Sequence, residues 1–160
     1  MCQNITGPLA EFNKIYKTID GVYHLYAKSL GISDTRMWLL YSIYAADKAY
    51  TQRELCSEWN YPPQTLNSAL KEMEKQGIIS LEHSPGNMKN KRIILTEQGR
   101  EYTQKMIAPL VLAEQRALEA MPEDERSALL SLMAKHAGIL QREVGGIGQK
   151  SINKCRKNFK

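Results

Sequence analysis

Between positions 64 and 71 the residues Gln64, Thr65, Asn67, Ser68 and Lys71 carry amide, hydroxyl and ammonium groups at helical spacing. They stand opposite an apolar stripe of Leu66, Ala69, Leu70 and Met73. An amide offers a donor and an acceptor side by side, the pair that matches an adenine edge, while an ammonium suits phosphate or guanine. Any surface helix also shows a polar face to water, so these side chains alone leave both readings open. A second group, Asn87, Lys89, Asn90, Lys91 and Arg92, follows Pro85-Gly86 and fits either contact with an anionic backbone or a soluble hairpin tip. Other chemistry lacks its residues. Cys2, Cys56 and Cys155 are odd in number and far apart, which supplies neither a disulfide framework nor a Cys-x-x-Cys metal signature. His24, His83 and His136 are equally scattered, so no metal or other cofactor is expected. Catalysis is not expected either: no local signature joins a nucleophile, a base and an orienting group, and the glycines at 145, 146 and 148 lack the spacing and context of a dinucleotide loop.

The elements that must position these residues are mostly helical. Apolar positions from Phe12 to Leu30 recur at steps of three and four, predicting a long first helix that Gly31 ends. Ser33 is placed to cap a second helix through Met37, Leu40, Tyr41 and Tyr44. Thr51-Gln-Arg-Glu54 has the pattern of a capping box, opening a short third helix that runs to about Trp59. Tyr61-Pro62-Pro63 imposes an extended approach to a fourth helix, which Gly77 closes. Two β-capable runs follow, Ile78 to Glu82 and Arg92 to Leu95, predicting a hairpin whose tip is polar and basic. Thr96 caps a fifth helix with Pro109 inside it, where a kink is expected, and Pro122 with its three following acids opens a sixth. Three glycines then introduce a basic tail. The fold class is therefore mainly α with a small β-hairpin, divided as 1–31, 32–100, 101–144 and 145–160.

Composition bounds the rest. The 160 residues are 42% hydrophobic, enough for a core, and Gly and Pro together number only 16. No apolar run approaches the roughly 18 residues of a spanning helix, and the first residues lack a basic segment followed by an apolar one, so a cytoplasmic protein away from membranes is expected. The formal charge of +5 belongs to the tail. Lys150, Lys154, Arg156, Lys157 and Lys160 have no acid among them, and taking those five from 22 basic residues leaves 17 against 17 acidic ones. Binding to nucleic acid must then rest on local patches rather than on total charge.

The order of a capped short helix, a turn, a second helix, a glycine stop and a basic hairpin is that of a winged helix-turn-helix. The chain resembles the MarR family of bacterial transcriptional regulators in Tyr50-Thr-Gln-Arg-Glu-Leu-Cys56, in Gln64 to Ile78, and in Lys91-Arg-Ile-Ile-Leu-Thr-Glu-Gln-Gly99. The likeness extends over about residues 8 to 144. It implies a homodimer held by the N- and C-terminal helices, 1–31 and 101–144, around a DNA-binding domain at 32–100. It also implies a pseudo-palindromic double-stranded operator, read by Gln64, Thr65, Asn67, Ser68 and Lys71, with Asn87, Lys89, Asn90, Lys91 and Arg92 on the wing. One departure stands out: where the family's wing usually carries Asp, any residue, Arg, this chain has Asn87-Met88-Lys89. Without the acid and the planar guanidinium, phosphate contact by Lys89 and Lys91 is the expected role of the wing.

The resemblance further implies a small lipophilic or phenolic effector between dimer helices and winged domain, and hence a repressor released by that molecule. Tyr23, Trp38 and Tyr41 are candidates to line such a site, although aromatics at this spacing equally build a core. Two other functions compete: a winged helix used only for protein contact, and a thiol-based redox regulator.

Overall fold

The computed structural model describes residues 5–46, 49–59, 62–84 and 87–157, with side chains described for 5–46, 49–59, 62–83 and 91–146. Helix α1 (Pro8–Ser29) begins with proline in its first turn, where the missing N–H has no helical acceptor to lose. It ends at Gly31, whose φ of 67° few other residues adopt. There the Ile32 amide donates to Ala27 O at 3.1 Å and the Gly31 amide to Lys28 O at 3.0 Å, a Schellman stop. Helix α2 (Asp34–Tyr44) starts from Ser33, whose hydroxyl accepts from the Arg36 amide at 3.3 Å. In α3 (Gln52–Glu58) both halves of the capping box form: the Glu54 amide donates to Thr51 Oγ1 at 3.2 Å, and the Thr51 amide to Glu54 Oε2 at 2.7 Å.

Helix α4 (Pro63–Lys75) buries Leu66, Leu70 and Met73 and ends on a second Schellman stop at Gly77. The strands β1 (Ile79–Ser84) and β2 (Asn87–Leu95) pair antiparallel, Ile79 opposite Leu95 and Leu81 opposite Ile93, with an irregularity at His83 and Ser84. Both are longer than the apolar runs predict: Asn87 to Lys91 belong to β2 rather than to the turn, because backbone pairing needs no apolar side chains. The expected Pro85-Gly86 turn lies outside the described residues. A third segment joins the hairpin through the bridge of Thr51 with Arg92, where the Ile93 amide donates to Tyr50 O at 2.7 Å.

Helix α5 (Glu97–Glu119) is capped by Thr96, whose Oγ1 accepts from the Gly99 amide at 2.9 Å and donates to Gly77 O at 2.6 Å. It runs unbroken through Pro109. Helix α6 (Glu123–Lys157) continues through Gly145, Gly146 and Gly148, so the glycines do not end it. Each lowers helix propensity by about 1 kcal/mol without forbidding the conformation.

The chain divides into two compact units, 1–111 and 112–160, with the boundary inside α5. In the first, Met37, Leu39, Leu40, Leu55, Leu66 and Ile93 form a closed core, joined by Ala27 of α1 and by Ile107 and Leu110 of α5. Tyr26 fastens the same two helices, its hydroxyl donating to Met106 O at 2.8 Å. Toward its N-terminus α1 leaves Leu9, Phe12, Ile15, Tyr16, Ile19 and Val22 exposed. In the second unit Leu130, Leu132, Met133, Leu140 and Val144 are likewise exposed. Among the described residues no helix is long and apolar enough to cross a membrane.

Candidate nucleic-acid interface

Helix α4 is held from beneath. With Leu66, Leu70 and Met73 committed to the core, the 3.6-residue period turns Gln64, Thr65, Ser68 and Lys71 fully outward and leaves Asn67 half-buried at the edge of the same face. None of these five side chains is engaged in a hydrogen bond or ion pair with another described residue, so their donors and acceptors stand available to a ligand. The helix has no acid in its first turn, and Lys75 stands in its last. Gln52 Nε2 of α3 reaches Pro63 O at 3.4 Å, which ties the preceding helix to the start of α4.

The hairpin stands beside this face in sequence and is braced on the same core through Ile79 and Ile93. Lys91 and Arg92, consecutive on β2 and both exposed, project to opposite faces of the ribbon, paired in register with His83 and Glu82. Asn87, Lys89 and Asn90 lie on β2, but their side chains fall outside the described residues.

The aromatic candidates do meet. Tyr23 of α1 lies 4.7 Å from Trp38 of α2, ring centre to ring centre, and Trp38 lies 5.5 Å from Tyr41. The row continues to Trp59, 6.2 Å from Tyr41, a member that the sequence reading missed. All four are half-buried and pack against the core. Two open depressions of about 480 and 510 Å³ lie elsewhere on the first unit, one along Ala10, Asn13, Lys14 and Lys17, the other at His24, Lys28 and Ser33. In the second, His24 Nδ1 is 3.0 Å from Asp34 Oδ2.

Two tyrosines have displaced ionisation. Burial pushes the Tyr26 phenol above its ordinary range. A hydrogen bond to Glu58 Oε1, at 2.7 Å, with burial behind it, raises Tyr50. Cys56 is half-buried in α3, while Cys2 and the Cys155 side chain lie outside the described residues. A contact missed by local pattern is that of Arg36 on α2 with Gln76 at the end of α4, forty positions apart.

Comparison with known proteins gives a concordant picture. Residues 30–87 match the MarR family profile. An uncharacterised HTH-type transcriptional regulator of Bacillus subtilis is 28% identical over 105 residues, which are 66% of this chain and 63% of that protein, so the chain spans less than two thirds of the relative's length. Among solved structures, the MarR family regulator NMB1585 of Neisseria meningitidis superposes with a TM-score of 0.74 at 16% identity, over 88% of this chain and 98% of that one. MepR of S. aureus, solved as a DNA complex, superposes with a TM-score of 0.68 at 17% identity, over 86% of this chain and all of that one.

Proposed function

From the match of residues 30–87 to the MarR family profile, we propose that this chain is a sequence-specific regulator of transcription that binds double-stranded DNA as a homodimer. The observation that carries this reading is the outer face of α4, where amide, hydroxyl and ammonium groups without partners among the described residues stand on a helix anchored by three buried side chains. Such a helix can enter the major groove, with Asn67 and Gln64 addressing base edges and Lys71 a phosphate or guanine. Lys91 and Arg92, with Lys89, Asn87 and Asn90 further along β2, contribute backbone contacts from the wing. The S. aureus relative was solved on DNA, which supports the same role for this fold.

The homodimer is supported by the apolar residues that each unit leaves uncovered, Phe12, Ile15 and Ile19 on α1 and Leu132, Met133 and Leu140 on α6. Apolar stripes of this kind are surfaces awaiting a like partner. Regulation by release from the operator would use a small lipophilic or phenolic effector against Tyr23, Trp38 and Tyr41, now extended by Trp59. Repression is the matching direction: an effector that stabilises a second arrangement of the helices lowers affinity for DNA.

The experiment is selection of bound fragments from the genome by the full chain, followed by electrophoretic shift of the enriched fragment with and without an excess of unrelated duplex. Retention of the shift against that excess supports the reading. Loss of the shift to that excess would leave a nonspecific binder.

A further inference from the structure

Arg36 stands in the first turn of α2, where a cation would ordinarily reach into water, yet its side chain keeps only 15% of its exposure. Its Nη2 donates to Gln76 Oε1 at 2.6 Å, Nη1 lies 3.8 Å from Glu72 Oε1, and the guanidinium carbon sits 5.5 Å from the centre of the Tyr102 ring. Gln76 Nε2 in turn donates to Glu72 Oε1 at 3.2 Å. One cation therefore gathers α2, the last turn of α4 and the first turns of α5.

This cation is thinly satisfied. The Nε is buried and finds no acceptor among the described residues, and 3.8 Å to Glu72 is beyond a direct hydrogen bond. A buried charge with so few partners adds little to stability, and an apolar side chain of similar volume commonly replaces one at no cost. What the guanidinium does provide is direction. Leu66, Leu70 and Met73 decide by apolar burial which face of α4 turns outward, but burial is nondirectional and sets that rotation more coarsely than a directed bond does. A guanidinium bonded through Nη2 to Gln76 and held over the Tyr102 ring admits few orientations.

We propose that Arg36 is a positioning residue for base reading. Without touching DNA, it clasps the C-terminal end of α4 and so sets the rotation at which Gln64, Asn67 and Ser68 meet base edges. Contacts to phosphate, which tolerate small displacements, depend on it far less than base contacts do. The inference rests on the reading of α4 as the helix that reads sequence.

The test uses the full chain and the duplex that the wild type enriches from a randomised library, beside a scrambled duplex of equal length. Arg36→Met removes the fork at similar volume, and Gln76→Ala opens the same clasp from its exposed end without emptying the core. Both variants should bind the enriched duplex more weakly, by about tenfold for Arg36→Met. Scrambled-duplex affinity and thermal midpoint should hold at wild-type values. The double variant should lose no more than Arg36→Met alone, because both changes break one clasp. Arg36→Lys keeps the charge without the fork and should recover only part of the selectivity. Parallel losses on both duplexes, or a fall in thermal midpoint matching the lost affinity, would overturn the clasp in favour of a merely structural arginine. If the wild type selects a sequence and both variants select it equally well, the clasp alone falls. If the wild type enriches nothing, the reading of α4 falls and the clasp with it.

Discussion

Asn67 and Lys91 differ in what their end groups can distinguish. Asn67, at the edge of the outer face of α4, carries a donor and an acceptor, whereas Lys91 on β2 carries a mobile point charge. Asn67→Ala should therefore weaken binding to the operator by about 1–3 kcal/mol, leave random-duplex binding nearly unchanged and relax preference at one base pair in each half-site. Lys91→Ala should weaken both duplexes alike and reduce the salt slope by about 1. Titrations of each variant on both duplexes across a salt series separate the two; loss of preference in Lys91→Ala would mean that the wing reads sequence. Tyr26 makes a different prediction, about pH. Its hydroxyl donates to Met106 O, a bond only the neutral phenol can make, and burial holds its ionisation above the ordinary value near 10. As pH rises past 10 the unfolded phenol sheds its proton while the folded one retains it, so the contribution is whole below that value and declines above it. Tyr26→Phe should flatten the alkaline fall in stability, read by denaturant unfolding between pH 8 and about 11.

Gly99 shows how an element can depend on one missing methyl group. A Cβ built there would lie 1.8 Å from Ile78 O, at the place where the start of α5 crosses the exit from α4. Gly99→Ala must displace backbone and should cost about 3 kcal/mol, the upper part of the range for overpacking. Gly21→Ala on α1, with nothing within 4 Å, should instead stabilise by about 0.5–1 kcal/mol. Thermal unfolding of both at one protein concentration gives the comparison, and equal effects would mean that the crossing is looser than its geometry. The signals at this scale that were legible in sequence are local ones. Ser33, the Thr51 and Glu54 box, Gly31, Gly77 and Thr96 each announce a boundary through atoms within about five residues, and each forms as expected. Beyond that range only periodicity was legible. Strand pairing past His83 is backbone chemistry that the polar sequence there does not announce by apolar alternation, and α6 persists through glycines because weak propensity is not prohibition. The outer face of α4 was legible from periodicity, but its clasp was not, since Arg36, Gln76 and Tyr102 come together only in the folded chain. Trp59 joined the aromatic row unannounced for the same reason.

Across the whole molecule, the proposed function turns on two copies. Phe12 and Ile19 are 42% and 48% exposed, on an α1 whose C-terminal half alone packs into the core of the first unit. Phe12→Glu with Ile19→Glu leaves every residue of that core in place, so loss of assembly need not mean loss of fold. Sedimentation should report a dimer for the wild type and a monomer for the double variant, with the helical signal of the monomer largely kept. The operator is tied to the same symmetry. A two-fold dimer presents two α4 helices related by rotation, and two major grooves on one face of B-DNA are about 34–36 Å apart, so half-sites should recur as an inverted repeat about one helical turn between centres. Selectivity built from a few amide contacts per half-site is modest, and the second copy multiplies it without a new contact. Footprinting of the wild type should show symmetric protection, and inserting half a turn between half-sites should abolish high affinity by placing one groove on the far side of the duplex. The monomeric variant should be indifferent to that insertion, since each copy then meets a half-site independently. If the wild type binds the lengthened operator as well as the original, or holds a single half-site with full affinity, α4 reads DNA one copy at a time and the exposed face of α1 has another use.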